Sequence, residues 1–456
     1  MKVTIIHGSP KGINSRTKQY MDYIKKHIND LLYTEFYIGR DIKIIEKDNT
    51  YFAEIIESIK NSDIVIWAFP VYYYLVPSQL KRFIELIYET NSLFAFKGKY
   101  STSISTSANF FDHTAHNYIH AVCNDMDMNY IEGFSAEMSD LFNDQKRRNL
   151  LDFAHYFFAM SEAKRPVAKV FAALPMNSIQ YLPEQKTGTK IQLNKMIILL
   201  TDATPQDINL NNMINTFTGY FNDSIEVLNL RSLNIKGGCL GCCNCFKNGK
   251  CIYKDDYEKL FYEKINQADV LIFAGAMKDR YLSSTWKTYF DRNFFNGHRP
   301  VLQNKYLGFI ISGSLKYNSN LRQILQGICQ IWKTPMLDIV TDEYDSNHEI
   351  TRQIEEFAHI LSNRLETDWE RSRNFLGVGG YKIFRDFVYI LKYFMKADHQ
   401  YYKANGYYDF PQKKIKDRMV QFIINLVIGI SSLKKKTTIN FEDNLLTSYK
   451  NIVKNK

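Results

Sequence analysis

The tightest constraint on this chain is that one pattern occurs in it twice. Asp63-Ile64-Val65-Ile66-Trp67-Ala68 is a short apolar run behind an acid, and Asp269-Val270-Leu271-Ile272-Phe273-Ala274 echoes it. Each run is followed by a matching helix start, Ser78-Gln79-Leu80-Lys81-Arg82-Phe83 and Ser284-Thr285-Trp286-Lys287-Thr288-Tyr289. Val3 to His7 and Lys195 to Thr201 are the corresponding opening strands. Continuous apolar runs that alternate with helical periodicity belong to parallel sheets covered on both faces. A repeat of roughly 190 residues is a duplicated domain, because solenoid units are far shorter.

The remaining elements fit this scheme. Ser101 to Ser107 and Met128 to Phe134 are strand candidates, and Asn149 to Met160 reads as a helix closing the first half. Ile225 to Leu230, Tyr306 to Ser312 and a helix from about Asn320 continue the second. Pro166, Pro175, Pro183 and Gly188 punctuate a stretch without period, which predicts a linker. The expected layout is a first α/β domain over 1–165, a linker over 166–192, a second over 193–370 and a basic helical extension over 371–456. Each domain is expected to be a doubly wound parallel sheet of five strands. In the extension, Ile383 to Met395 predicts a basic amphipathic helix, and Met419 to Leu433 is a second apolar stretch ending in Lys434-Lys435-Lys436. That stretch is too short to span a bilayer, so membrane contact is expected to be peripheral at most.

Parallel sheets bind ligands beyond the carboxyl ends of their strands, where strand order reverses. Gly8-Ser9-Pro10-Lys11-Gly12 follows the opening strand there, with Asn14, Ser15 and Thr17 at the start of the next helix. Helix amides, hydroxyls and the Lys11 charge together suit a phosphate. A turn of this composition is equally often only a turn, but two more loops converge on the same edge. Pro70-Val71-Tyr72-Tyr73 offers backbone amides and tyrosine faces to a flat ring, and Thr106-Ser107-Ala108-Asn109-Phe110 ends the following strand.

Five of the seven cysteines fall within thirteen residues: Cys239, Cys242, Cys243, Cys245 and Cys251. With Cys243 set aside the spacing is C-x2-C-x2-C-x5-C, on a loop that holds Gly237, Gly238 and Gly241. Thiolates so close together can wrap a multi-iron cluster. They also suit zinc, and an empty, degenerate site is a third reading. In the second half the counterpart of the phosphate loop is Thr201-Asp202-Ala203-Thr204-Pro205-Gln206-Asp207, whose carboxylates would repel phosphate. The counterpart of the tyrosine loop is Ala276-Met277-Lys278. The second half is therefore expected to have lost the ligand that the first keeps.

Taken together, Gly8-Ser9-Pro10-Lys11, Asn14-Ser15-Arg16-Thr17, Phe69-Pro70-Val71-Tyr72-Tyr73 and Ser78 to Phe83 resemble the flavodoxin-like NAD(P)H-dependent FMN oxidoreductases. The cysteine motif, followed by Asp255-Asp256, resembles the iron-sulfur flavoprotein branch of that superfamily. The resemblance implies flavodoxin-like domains, with Ser9, Lys11, Ser15 and Thr17 as FMN phosphate ligands and Pro70, Val71 and Tyr72 as ring contacts. It further implies NAD(P)H as electron donor and Cys239, Cys242, Cys245 and Cys251 as ligands of a [4Fe-4S] cluster near the flavin. The family usually has Arg where Lys11 stands and Asn-Thr where Arg16-Thr17 stand.

Composition narrows the partners. Hydrophobic residues at 45% and charged residues at 23% are close to those of globular proteins, so disorder is not the default expectation. The opening residues lack a signal-peptide core, and clustered thiols outside a secreted context point to redox or metal chemistry, so a cytoplasmic protein is expected. The net charge of +10 counts against an acidic flavodoxin-type carrier without NAD(P)H activity, the alternative to an enzyme, and is not taken as a sign of nucleic acid binding. The acceptor is unknown, and a homo-oligomer is expected.

Overall fold

A computed structural model describes the chain except for residues 109, 176–178, 185–189, 223–224, 366–371, 412–413, 417, 421, 424 and 427–456. Much of the second apolar stretch predicted over 419–433 thus lies outside the described residues. The chain divides into two units, Met1–His399 and Gln400–Lys456, and the larger one holds both sheets.

In the first half, strands β1 (Lys2–His7), β2 (Leu32–Phe36), β3 (Ile64–Pro70), β4 (Tyr100–Ser107), β5 (Asn129–Tyr130) and β6 (Phe134–Glu137) alternate with helices α1 (Arg16–His27), α2 (Ile38–Ile45), α3 (Asn49–Lys60), α4 (Ser78–Glu89), α5 (Asp112–Asp125) and α6 (Asp144–Glu162). In the second half, β7 (Ile197–Thr201), β8 (Glu226–Asn229), β9 (Val270–Ala276), β10 (Tyr306–Ser312) and β11 (Met336–Thr341) alternate with α7 (Ile208–Thr218), α8 (Cys245–Asn248), α9 (Asp256–Leu260), α10 (Ser284–Arg292), α11 (Ser319–Trp332) and α12 (Asn347–Leu365). Helix α13 (Phe375–Ile390) follows. The sheets have the orders β2-β1-β3-β4-β5 and β8-β7-β9-β10-β11, and every pairing is parallel. Both are flavodoxin-like.

One strand differs from expectation. The run from Met128 to Phe134 splits into β5 and β6, which share the fifth place by pairing with opposite ends of β4. The break falls where the Thr102 hydroxyl donates to the Glu132 carbonyl at 2.7 Å, removing that carbonyl from the ladder.

The strands at the centre of each sheet are almost wholly buried, Ile64 to Phe69 in β3 and Val270 to Ala276 in β9. Helices supply the other half of each layer; α1 turns Tyr20, Met21 and Ile24 inward. Helices α4 and α10 join the halves, and their contacts are reciprocal. Pro77 stands at the N-cap of α4 without a side-chain cap bond, and Asp291 of α10 accepts from the Ser78 amide at 2.7 Å instead. In return, Glu85 of α4 accepts from the Ser284 amide at 2.6 Å. Each acid also binds a buried lysine one turn before it: Lys81 to Glu85 at 2.8 Å, and Lys287 to Asp291. Lys81 reaches Asp279 at 3.0 Å, and Lys287 reaches the Tyr72 carbonyl at 2.8 Å.

Deleting one partner of a buried pair leaves the other charge without compensation. Asp291→Ala is therefore expected to lower the unfolding free energy by about 3–5 kcal/mol, measured by urea denaturation. The exposed Asp144→Ala serves as the control and should change it little.

Candidate functional site

The three predicted loops meet at the carboxyl ends of β1, β3 and β4. The first leaves β1 with the Gly8 amide donating to Ala68 of β3 at 2.8 Å and turns through Gly12 to Asn14 into α1. Helix α2 packs on its backbone: a Cβ on Gly39 would lie 2.3 Å from the Gly8 carbonyl oxygen, so only glycine fits there. Ser9, Ser15 and Thr17 are buried, whereas Lys11 and Arg16 are exposed at the rim. Ser15 is the N-cap of α1 but makes no side-chain cap bond, which leaves the amides of the first turn available to an anion. Thr17 Oγ1 lies 2.7 Å from Thr106 Oγ1 and ties α1 to β4. Ser107 is buried at the end of β4, and Asn109 lies outside the described residues.

The second loop is a tight reversal. The Tyr72 amide donates to the Leu75 carbonyl at 2.8 Å and the Leu75 amide donates back at 3.0 Å, with Tyr73 and Tyr74 between them at φ of 39° and 67°. Consecutive non-glycine residues with positive φ store strain and collect at functional sites. The Val71 amide is also engaged, donating to Thr106 at 3.1 Å, so both amides expected to face a ring bind the protein's own carbonyls. Pro70, Val71, Tyr72 and Tyr73 are largely buried but keep some exposed surface. The rings of Tyr72 and Tyr73 point toward the second half and meet Phe294 at 5.4 Å and 5.0 Å. Burial pushes both phenols above their ordinary pKa.

Across from these loops lies the cysteine loop. Gln79 Nε2 donates to the Cys239 carbonyl at 3.3 Å, and Lys43 Nζ donates to the Lys236 carbonyl at 2.6 Å. Gly241, at φ +62°, comes so near the Tyr72 hydroxyl that a Cβ would stand 2.0 Å from it. Sequence reasoning found each loop but not their contact, which spans more than a hundred residues of chain. It also missed Arg292, which is fully buried and pins both ends of the cysteine loop. Its guanidinium binds Asp255 at 2.7 Å and 2.8 Å and the Gly237 carbonyl at 3.1 Å, between the rings of Tyr253 and Tyr257.

The cysteine thiols lie in one another's field. Burial first, then Cys242, Cys251 and Cys243, pushes the Cys245 thiol up to about 12, and burial also raises the Cys239 thiol above its ordinary value. Thiols grouped on one loop are a donor set that suits a thiophilic metal, whose binding would displace their protons. Their arrangement is open: among the described residues, no group of three or more His, Cys, Asp or Glu is placed to hold a metal ion. Cys123 and Cys329 are buried core thiols elsewhere.

The matching edge of the second sheet is filled by the protein itself. Asp202 accepts from Ser283, and Asp207 binds Lys278 at 2.5 Å. The connecting segment crosses above, with the Ala172 carbonyl on Arg280 at 2.7 Å and the Tyr181 amide on Asn209 at 2.8 Å.

Beside the first loop, His7 donates from Nε2 to Glu35 at 2.8 Å and stacks on Tyr37. Burial, together with the charges of Lys18 and Lys25, lowers its pKa to about 3 in spite of Asp22, so the ring is neutral. The unfolded chain takes up a proton near pH 6.5 that the folded chain refuses until about pH 3. Stability is expected to fall as pH is lowered across that window, by up to about 1.4 kcal/mol per pH unit. His7→Gln should flatten this part of the urea-midpoint against pH curve.

With this geometry in hand, comparison with known proteins gives three results. The family model described as NADPH-dependent FMN reductase matches residues 1–139 and 211–343, parts of both halves. The iron-sulfur flavoprotein of Archaeoglobus fulgidus is 34% identical over 73 residues, 16% of this chain and 33% of that protein, so the chain spans about a third of the length of this curated relative. Among solved structures, the apo form of an NADH:FMN oxidoreductase is 20% identical with a TM-score of 0.31, covering 36% of this chain and 94% of its own. The NAD(P)H:acceptor oxidoreductase FerB of Paracoccus denitrificans is 19% identical with a TM-score of 0.30, covering 36% and 98%.

Proposed function

The chain belongs to the NADPH-dependent FMN reductase family, and on that premise we propose that it is an FMN-dependent NAD(P)H oxidoreductase whose flavin sits on the first half alone. The observation that carries this reading is the uncapped start of α1 beside three buried hydroxyls, at the point where the strand order of the first sheet reverses. The first-turn amides, with Ser9, Ser15 and Thr17, would hold the phosphate, and Lys11 at the rim adds charge. Pro70, Val71, Tyr72 and Tyr73 would bound the ring, with Ser107 and Asn109 from the third loop. Because the amides of Val71 and Tyr72 are engaged, the tyrosine loop would act through its shape and rings. FMN held there would supply a hydride acceptor for a nicotinamide and a donor able to release electrons singly or in pairs.

The residues of the chain hold, orient and exclude water. Lys287 anchors the tyrosine loop by its carbonyl, and Phe294 backs the two tyrosine rings. Cys239, Cys242, Cys245 and Cys251 would hold an iron-sulfur cluster as the next electron carrier, a reading supported by the thiol donor set and by the seat of that loop on Tyr72 and Gln79. Flavin and cysteine loops then meet within one chain, and no second subunit is needed to join them. For this purpose the working units are 1–165 for flavin, 193–370 for the cysteines, 166–192 between them and 371–456 as extension.

The test is an anaerobic visible spectrum of purified protein with FMN, iron and sulfide counted per chain. Retained FMN that bleaches on addition of NADPH or NADH supports the enzyme. A flavin that stays oxidised favours a flavodoxin-type carrier, and a colourless protein that rejects FMN ends the flavin reading. Ser9→Glu and Thr17→Glu place a carboxylate against the phosphate and are expected to weaken FMN binding by about a hundredfold or more, read by fluorescence titration. Cys239→Ser should lower iron content and leave FMN retention in place.

A further inference from the structure

Helix α13 is apolar on both of its sides. One side, with Gly380, Phe384 and Val388, is turned inward: Gly380 lies against Phe110 and Ile331, and Phe384 meets the rings of Phe110 and His298 at 4.7 Å and 4.5 Å. A helix packed along one side ordinarily shows polar residues on the other. Here the outer side carries Phe375 at 87% exposure and Ile390 at 74%, together with Val378 and Ile383, and Tyr393 just beyond the helix is 81% exposed. At about 100° per residue Phe375, Val378, Ile383 and Ile390 spread over about 140°, one broad stripe along the helix.

The same stripe is basic. Lys382 is exposed within it, Arg373 and Lys396 are exposed at its two ends, and Lys392 Nζ lies over the rings of Tyr389 and Tyr393. Between Arg373 and Lys396 the one acid is Asp386, paired with Arg385 at 2.8 Å. We propose that this stripe lies on an anionic lipid surface. Aliphatic and aromatic side chains flanked by long cationic ones suit the boundary between headgroups and acyl chains. A second copy of the chain would set these cations against their own kind. Among the described residues no helix is long and apolar enough to cross a membrane, so the attachment is peripheral. The separate unit that begins at Gln400 has the same character in its own right, with Ile415, Met419 and Phe422 exposed near Lys414, Lys416 and Arg418.

A consequence follows for electron transfer. Because the inner side of α13 touches Phe110, the third loop would lie one helix diameter, about 10 Å, from the lipid. An acceptor dissolved in the membrane would be within reach of that edge.

The proposal is tested by sedimentation of the full-length protein with vesicles of phosphatidylcholine, with and without one-third phosphatidylglycerol. Binding is expected with the anionic vesicles alone, and should decline as salt shortens the Debye length. Phe375→Ser with Ile390→Ser, and Lys382→Glu with Lys396→Glu, alter exposed side chains and should each weaken it about tenfold or more, with gel-filtration profile and FMN retention unchanged. The proposal falls if wild type ignores anionic vesicles, binds neutral ones equally, or is matched by both double variants. Self-association without lipid that the serine variant abolishes would assign the stripe to a second copy and also overturn it.

Discussion

The structure depends on two buried carboxylates that each serve the other half of the chain. Glu85 ends the N-terminus of α10, and Asp291 ends that of α4. Each is held in place by a lysine one turn earlier on its own helix. Exchange of the halves maps Ser78 on Ser284, Lys81 on Lys287 and Glu85 on Asp291, so the contact has the form of a two-fold interface written into one chain. An isologous contact of this kind is what two copies of a single domain would make, and duplication has made it permanent. Charges this deep contribute little net stability against an apolar alternative. What they supply is registration, since a slip of one turn would take Asp291 from the Ser78 amide, Glu85 from the Ser284 amide and Lys81 from Asp279.

That registration sets the candidate site. Arg292 follows Asp291 directly, so the residue beside the one that ends α4 also pins the cysteine loop through Asp255 and Gly237. The loop is thereby brought onto Tyr72, Gln79 and Lys43 of the first half. The corresponding loop of the second half has changed its task. Where the first half has Tyr73 and Tyr74, the second has Asp279 on Lys81 and Tyr118, and Arg280 on Asp125. One copy of the loop faces a candidate ligand and the other locks the halves together. Duplication permits this asymmetry, because two identical subunits would have to carry the same residues in both places.

The sequence reveals the frame better than the joints. Strands β1, β3, β7 and β9 are legible because each is a buried apolar run between a turn and a helix start. Strand β2 is not, since Leu32 to Phe36 is an edge strand with only Phe36 buried, and it lacks both an apolar run and a clean alternation. The phosphate loop is legible from its glycine, proline and hydroxyls, which declare local backbone geometry. The seat of the cysteine loop is set by contacts such as Gln79 with Cys239 and Gly241 with Tyr72, which no local pattern encodes. Lys81, Glu85, Lys287 and Asp291 look like ordinary i, i+4 pairs of a solvated helix. The signal available was their recurrence at the same place in both echoes, since a surface pair has no reason to survive in both copies of a diverging repeat.

The strain at Tyr73 and Tyr74 is best understood from the same interface. A two-residue reversal with both φ angles positive favours glycine or asparagine, and two tyrosines there cost energy that must be offset. The offset lies in the second half: Tyr73 packs on Phe294 and accepts from Trp332 Nε1 at 3.3 Å, Tyr72 meets Phe294, and Lys287 holds the Tyr72 carbonyl. The first half on its own would lack these partners, and its tyrosine loop would have reason to relax toward an ordinary turn. The shape of the candidate ring site is therefore a property of the paired halves, although every residue that would touch the ring belongs to the first.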